Sequence, residues 1–406
     1  MTTAILSAAP LAPTPFKTDA TVIGLVGLAH ASSHFGHLML PVMFPVFMHE
    51  FALSYSELGL LMTVFFIVSG VGQAFAGFMV DHWGARPLML VALSLFAVAA
   101  GAAAAVTGYG GLLAVAAVAG LANATFHPVD FTILNQRVSS ARLGHAFSAH
   151  GLSGNLGWAA APVFFAGFSS LLGWRAAYLA AAVLFLAVLG VLLVHRSHLR
   201  TSVAPFQREA LAEHPLAFMK LPVVWWCFAF FLLSTMTLAV IQGYSVSILK
   251  AMHGIGFEAA TLTLTAYMLC GAAGMVWGGY LSGNVLRNDR IVAAAMTVAA
   301  LLLVLCGTGL LGATATMVVL AATGFAVGVG GPSRDMMIKK ATPPAATGRV
   351  VGLVYSGLDV GFALSPLVFG PMLDRGWYGA TLIGAALVLL LAVVAAVGVG
   401  HRTLRP

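Results

Sequence analysis

Twelve apolar stretches, each close to the ~20 residues that an α-helix needs to cross a bilayer, follow one another along this chain. They run about 22–47, 56–80, 87–108, 110–136, 145–171 and 175–195, then 223–249, 258–283, 290–309, 312–338, 348–373 and 377–399. These are continuous apolar runs, not ten-residue stretches of alternating polarity, so a membrane β-barrel is excluded. Composition sharpens the point. Charged residues make up 8% of the 406 and hydrophobic ones 60%, against about 25% charged in a soluble domain. Such a chain could not cover a water-facing surface. A soluble enzyme, a nucleic-acid-binding module and a disordered protein are ruled out together. The expected fold is an all-α polytopic membrane protein with the lipid bilayer as solvent.

The longest polar stretch lies between the sixth and seventh segments. It carries Arg196, Arg200, Arg208, Glu209, Glu213 and Lys220. The expected organisation is a disordered tail over 1–21, a six-helix bundle over 22–195, a linker over 196–222, a second bundle over 223–399 and a short tail over 400–406. The first twenty residues are broken by prolines and have no basic start, which argues for a tail and against a signal peptide. Only Arg175, Lys250 and Arg375 fall in the loops on one side. The other basic residues gather on the side of the linker and the tails. By the positive-inside bias, both termini and the linker are expected in the cytoplasm. The net charge of +7 is thus a topology signal, and no nucleic-acid partner is implied. Cys227, Cys270 and Cys306 are odd in number and scattered, which indicates neither a disulfide framework nor a cysteine metal site.

The chain also repeats itself. At an offset of 204, Gly70 meets Gly274, Arg86 meets Arg290, Pro128 meets Pro332 and Gly144 meets Gly348. At the same offset Asn155 meets Asp359, Gly157 meets Gly361 and Pro162 meets Pro366. Seven pairings at one offset, in corresponding helices, imply two homologous halves. Parallel halves around a central path suit a site exposed alternately to each side.

The loop after the second segment reads GFMVDHWGARP. Gly77, Asp81, Gly84 and Arg86 in it resemble the cytoplasmic loop signature of the major facilitator superfamily, with His82 where a basic residue is usual. The matching second-half loop keeps Arg290 but has no acid at the motif position. Within that superfamily the first half resembles the fosmidomycin-resistance branch. The string HASSHFGHLMLP spaces His30 and Pro41 as that family does. FHPVD at 126–130 and GHAFSAHGLSGNLGWAAAP at 144–162 look like its fourth- and fifth-helix signatures. The family's first-helix Asn-Asp pair falls here on Ser33 and His34, and its Glu after Pro is displaced to Asp130. The resemblance implies that the first and fourth helices line the transport path, and that Asp81 and Arg86 gate its cytoplasmic side.

Ionisable groups inside a membrane segment default to a functional reading. His30, His34 and His37 lie one turn apart on one helical face. They suit a proton or substrate site, neutral packing between helices, or metal binding; no accompanying ligand motif singles out the last, and no metal or cofactor is expected. His127 and Asp130 flank Pro128, as a proton or substrate site or as a hydrogen bond that fixes a kink. His150 and Asn155 share the Gly-rich fifth segment, where Gly151, Gly154 and Gly157 invite close backbone approach. Asp359, mid-way along the eleventh segment, is the best candidate for a coupling carboxylate. Arg334 and Asp335 either pair with Asp130 or Asp359 across the path or anchor a helix end. Met236, Met268 and Met275 are expected to pack.

The chain has no Walker-type phosphate loop, no H-E-x-x-H and no G-x-S-x-G. An enzyme and an ATP-driven pump are therefore not expected. The expectation is a monomeric, proton-coupled secondary transporter of the bacterial inner membrane, exporting a small organic or antibiotic-like solute. Import of a transition metal, a metal chelate or a small carboxylate is the alternative on the same fold. A non-transporting receptor or scaffold is the alternative of another class.

Overall fold

A computed structural model describes residues 15–202, 217–282, 287–341 and 347–403. In this range the chain is almost wholly helical. The α-helices are α1 (Phe16–Leu38), α2 (Phe44–Phe51), α3 (Tyr55–Trp83), α4 (Ala85–Ala105), α5 (Tyr109–Asn123), α6 (Phe126–Arg137) and α7 (Leu143–Leu172). They continue as α8 (Trp174–Val194), α9 (Pro222–His253), α10 (Phe257–Ser282), α11 (Asn288–Gly307), α12 (Ala313–Ala341), α13 (Thr347–Asp374) and α14 (Tyr378–Thr403).

Two of the apolar segments are broken. The first breaks at Pro41, which opens a short 3-10 turn over Pro41–Met43 before α2 resumes. The fourth breaks between Asn123 and Phe126, and Pro128 then sits in the first turn of α6, where its missing N–H costs little. The break turns Asn123 and His127 inward on either side of it. Other transitions are abrupt. Gly84 (φ 79°) ends α3 and starts α4, and Gly173 (φ 86°) does the same between α7 and α8. A side chain would be strained at both points.

Helix α1 begins at Phe16, inside the stretch read from sequence as tail. The reason is Asp19, which is fully buried. Its carboxylate accepts from Arg142 at 2.7 Å and from the Ser139 hydroxyl at 2.5 Å, in the turn before α7. At the other terminus α14 runs on to Thr403. The middle of the linker, with Arg208, Glu209 and Glu213, lies outside the described residues.

Helix pairings fall into two sets that share most of one pattern, the extensive α9–α14 packing having only a slight counterpart between α1 and α8. In the first, α1 packs on α7, α3 on α5, and α4 on both α5 and α8; in the second, α9 packs on α13, α10 on α12, and α11 on both α12 and α14. The glycines explain how closely they approach. A Cβ at Gly157 would overlap the Ala31 carbonyl oxygen, and one at its repeat mate Gly361 would overlap that of Leu232. Between α10 and α12, Gly274, Gly278, Gly324 and Gly328 bring backbone against backbone, the small-xxx-small contact of membrane helices. The sets meet along α3 with α13 and α7 with α10.

Among the described residues, eleven helical spans are long and apolar enough to cross a membrane, α5 and α6 together forming one of them. Their outer faces carry large exposed apolar side chains such as Phe78, Leu171, Leu186 and Val394, a surface tolerable only in lipid. This is a multi-pass membrane protein. Helix α1 is absent from the eleven, although it has 23 residues. His30, Ser32, Ser33, His34 and His37 lower its hydropathy, and all five are buried.

Candidate functional site

The polar residues of α1 face α5, α6 and α7, and there the sequence candidates converge. His30 Nδ1 and His150 Nε2 each lie 3.0 Å from Asp130 Oδ2. The His150 contact is a well-formed hydrogen bond, whereas His30 lies off the hydrogen-bonding line. The His30 and His150 rings stack at 3.6 Å between centroids, and His34 lies 4.4 Å from His30. His127 stands edge-on to His30 at 5.5 Å. With His37, stacked on His34 at 4.9 Å, five imidazoles and one carboxylate occupy a single buried cluster, with His127 half-buried and the others buried. Gly154 makes the room: a Cβ there would stand 2.9 Å from His34 Nδ1 and 3.0 Å from His30 Nε2.

His37 ends the stripe differently, because both its nitrogens are used. Nε2 lies 2.7 Å from Asn123 Oδ1, and Nδ1 accepts from Trp158 Nε1 at 3.3 Å. Asn123 is a hub that the sequence reading missed. Its Oδ1 also accepts from Ser33 Oγ at 2.7 Å, and its Nδ2 donates to Ser69 Oγ at 2.8 Å. The signal available was an amide inside an otherwise apolar run. In contrast, both nitrogens of His34 are buried with no hydrogen-bond partner among the described residues, as is Asp130 Oδ1. Each unsatisfied polar group of this kind costs about 1–3 kcal/mol, so the cluster is a costly way to pack three helices.

Asn155 and Asp359 occupy repeat-related places on the two seams between the helix sets. Asn155 Nδ2 donates to Met275 Sδ at 3.1 Å across the α7–α10 seam. Asp359 lies against Gly70 on the α3–α13 seam, half-buried, with neither hydrogen bond nor ion pair among the described residues. Arg334 bonds its neighbour Asp335 at 2.8 Å and lies over the Phe231 ring. Neither pairs with Asp130 or Asp359, so the pairing across the path considered from sequence is not made. Met236 and Met268 are core residues.

A small cavity of about 10 Å³, no roomier than a single water needs, lies on the junction of the two sets, lined by Pro41, Phe44, Met62, Gln242, Tyr244 and Phe362 among others. Its lining is apolar apart from Tyr244, whose hydroxyl is hydrogen-bonded, and Gln242, whose Nε2 is buried and unpartnered among the described residues. Gln242 also escaped the sequence reading, being one amide in a long apolar helix. One end of the junction is closed. There Asp374 accepts the backbone N–H groups of Tyr55 and Ser56 and the Ser56 hydroxyl, and the Tyr244 hydroxyl donates to the Tyr55 carbonyl at 3.3 Å. Deeper in, Thr63 bonds the Ala363 carbonyl and Phe66 stacks on Phe362 at 4.2 Å.

A family profile described as Major Facilitator Superfamily matches residues 26–321 and, in a second match, 245–404. The chain belongs to the Major Facilitator Superfamily. As a member of that superfamily it resembles the Fosmidomycin resistance protein of Escherichia coli (strain K12), with 25% identity over 312 residues, 74% of each chain. Its fold is similar to the crystal structure of a bacterial homologue of the human lysosomal transporter Spinster in an inward-facing, occupied conformation. That match has a TM-score of 0.77 and 14% identity, over 97% of this chain and 98% of the other. The unoccupied form of that homologue matches at TM-score 0.75 over 96% and 98%. The superfamily loop is in place. Gly84 makes the α3–α4 turn, and the Ala85 N–H donates to Thr201 Oγ1 at 3.0 Å, tying the turn to the start of the linker. Asp81 is exposed, Arg86 is half-buried, and neither forms an ion pair among the described residues; Gly77 has open space beside it.

Proposed function

We propose that this protein is a proton-coupled secondary transporter of the inner membrane that exports a small organic solute by alternating access. In this reading twelve spans form two pseudo-symmetric six-helix bundles, 22–195 and 223–399. The interrupted α1–α2 segment supplies the first span. The linker and both termini lie in the cytoplasm, as the basic residues favour, and the transporter works as a monomer.

One observation carries the reading: a small apolar cavity sits on the junction of two repeat-related helix sets and is latched at the end away from the linker. A solute there would meet the free Gln242 amide, which suits an acceptor oxygen. Reversal of the latch would expose the same cavity to the other side. Asp359, on the seam beside it, is the group assigned to the coupling proton. Proton and solute would then bias one two-state equilibrium, as coupling requires. The export direction rests on the similarity to the fosmidomycin resistance protein, and fosmidomycin is the first solute to try.

The test is reconstitution in proteoliposomes with an imposed proton gradient. Gradient-dependent movement of fosmidomycin or a related solute is the expected result. A solute flux indifferent to the gradient would refute the coupling.

A further inference from the structure

We propose that His30, His34 and His127 bind one divalent first-row transition-metal ion, with Asp130 and His150 braced behind His30. The inference is independent of whether export is proton-driven, since it concerns the α1–α6–α7 cluster and not the seam.

Geometry comes first. One ring nitrogen from each of the three histidines lies within 4.8 Å of the others. A tetrahedral ion with metal–nitrogen bonds of about 2.0–2.1 Å sets its ligands roughly 3.3 Å apart. Side-chain rotation covers that difference. The three rings come from two helices, α1 and α6, that already pack together. Gly154 of α7 leaves open the space that His30 Nε2 and His34 Nδ1 both face.

The second line is the distribution of free lone pairs. A neutral imidazole offers one acceptor nitrogen. His37 has both nitrogens engaged, and His150 has committed Nε2 to Asp130. His34 has neither engaged, although it is about nine-tenths buried. A second trio, His30, Asp130 and His150, also meets the distance criterion. It would have to break the His150–Asp130 hydrogen bond, so the all-histidine trio is favoured. Asp130, whose Oδ2 lies 3.0 Å from His30 Nδ1 without a hydrogen bond to it, places a carboxylate beside the ligating imidazole, where it balances the ion's charge.

The donor set selects the ion. Imidazoles suit zinc, cobalt, nickel, copper(II) and iron(II), whereas magnesium and calcium demand oxygen. The cysteines that would attract copper(I) lie on α9, α10 and α11, in the other helix set. His127, half-buried where the others are buried, is the member that an arriving ion would meet first.

The test is a Co²⁺ titration of tag-free protein in detergent, read by visible ligand-field absorption and by metal content after desalting. One Co²⁺ per chain is expected, with the bands of a nitrogen-ligated low-coordinate ion. His34→Gln and His127→Gln should each weaken binding by about tenfold or more, and Asp130→Asn by about 10–100-fold. His145→Gln, at an exposed position, should leave it unchanged. Thermal unfolding identifies variants that fold, and His127→Gln, at the half-buried edge, is the one least exposed to a folding defect. Absence of retained Co²⁺ would overturn the proposal. So would affinity unchanged in folded His127→Gln, or an equal loss in His145→Gln.

Discussion

Asp374, the last residue of α13, accepts the backbone N–H of Tyr55, the first residue of α3, at 2.6 Å. The carboxylate of one helix set thereby caps a helix of the other, and it also accepts the Ser56 N–H at 3.1 Å. Ser54 and Glu57 complete the cap with a reciprocal capping box. Negative charge at a helix N-terminus is worth about 0.3–1 kcal/mol at an exposed site, so this junction is strong enough to bias a conformational equilibrium and weak enough to open.

Asp374→Asn should loosen it. A cysteine placed at Met62, in the cavity lining, would become more reactive to an impermeant maleimide applied on the latch side. The expected increase is up to about fivefold, the equivalent of 1 kcal/mol. Unchanged labelling would mean that the latch does not set the equilibrium.

Asp359→Asn should abolish proton-driven transport while solute exchange at equal pH continues. The carboxylate has no competing partner among the described residues, so its replacement removes a charge without stranding a neighbour. Full driven transport by the variant would remove Asp359 from the coupling role.

Gln242→Leu keeps the volume of the cavity wall and deletes its polar group. Transport should show a raised KM with little change in maximal rate, since an interaction lost equally from bound and transition states acts on binding. A fall in maximal rate alone would place Gln242 outside the solute site.

Asn123→Ala should destabilise the first helix set. It strands Ser33, Ser69 and His37. At about 2 kcal/mol, the melting midpoint in detergent should drop by roughly 4–8 °C.

Gly157→Ala and Gly167→Ala make a matched pair within α7. The first drives a methyl into the Ala31 carbonyl, and the second meets open space. Overpacking costs about 1–3 kcal/mol, whereas alanine in an unobstructed helix gains about 0.5–1 kcal/mol over glycine. Opposite shifts in melting midpoint are expected.

Much of this was legible in the sequence because membrane helices announce themselves by length and polarity. The face shared by His30, His34 and His37 follows from helical periodicity. That His127, Asp130 and His150 join it does not, since periodicity places residues on a helix but not helices on one another. The repeat foretold the symmetry of Asn155 and Asp359. It could not foretell their partners, because Met275 and Gly70 carry no polar signal. Asp19 misled for the opposite reason: an acid beside prolines near the N-terminus resembles tail, and only Arg142 and Ser139, about 120 residues on, make it part of the helix. Asn123, Gln242 and Asp374 were passed over as isolated polar residues. Their importance lies in what lacks a partner without them.

The polar face of α1 bears on how the protein is made. Its five buried histidines and serines leave it the least apolar of the long N-terminal helices, yet it is synthesised before every helix that shelters it. Polar side chains at the centre of a helix oppose its passage from the insertion machinery into lipid. The groups that shelter them, on α5, α6 and α7, are synthesised roughly a hundred residues later. Insertion of α1 should therefore be completed in partnership with these later helices, so that the cluster assembles as a step of membrane integration itself.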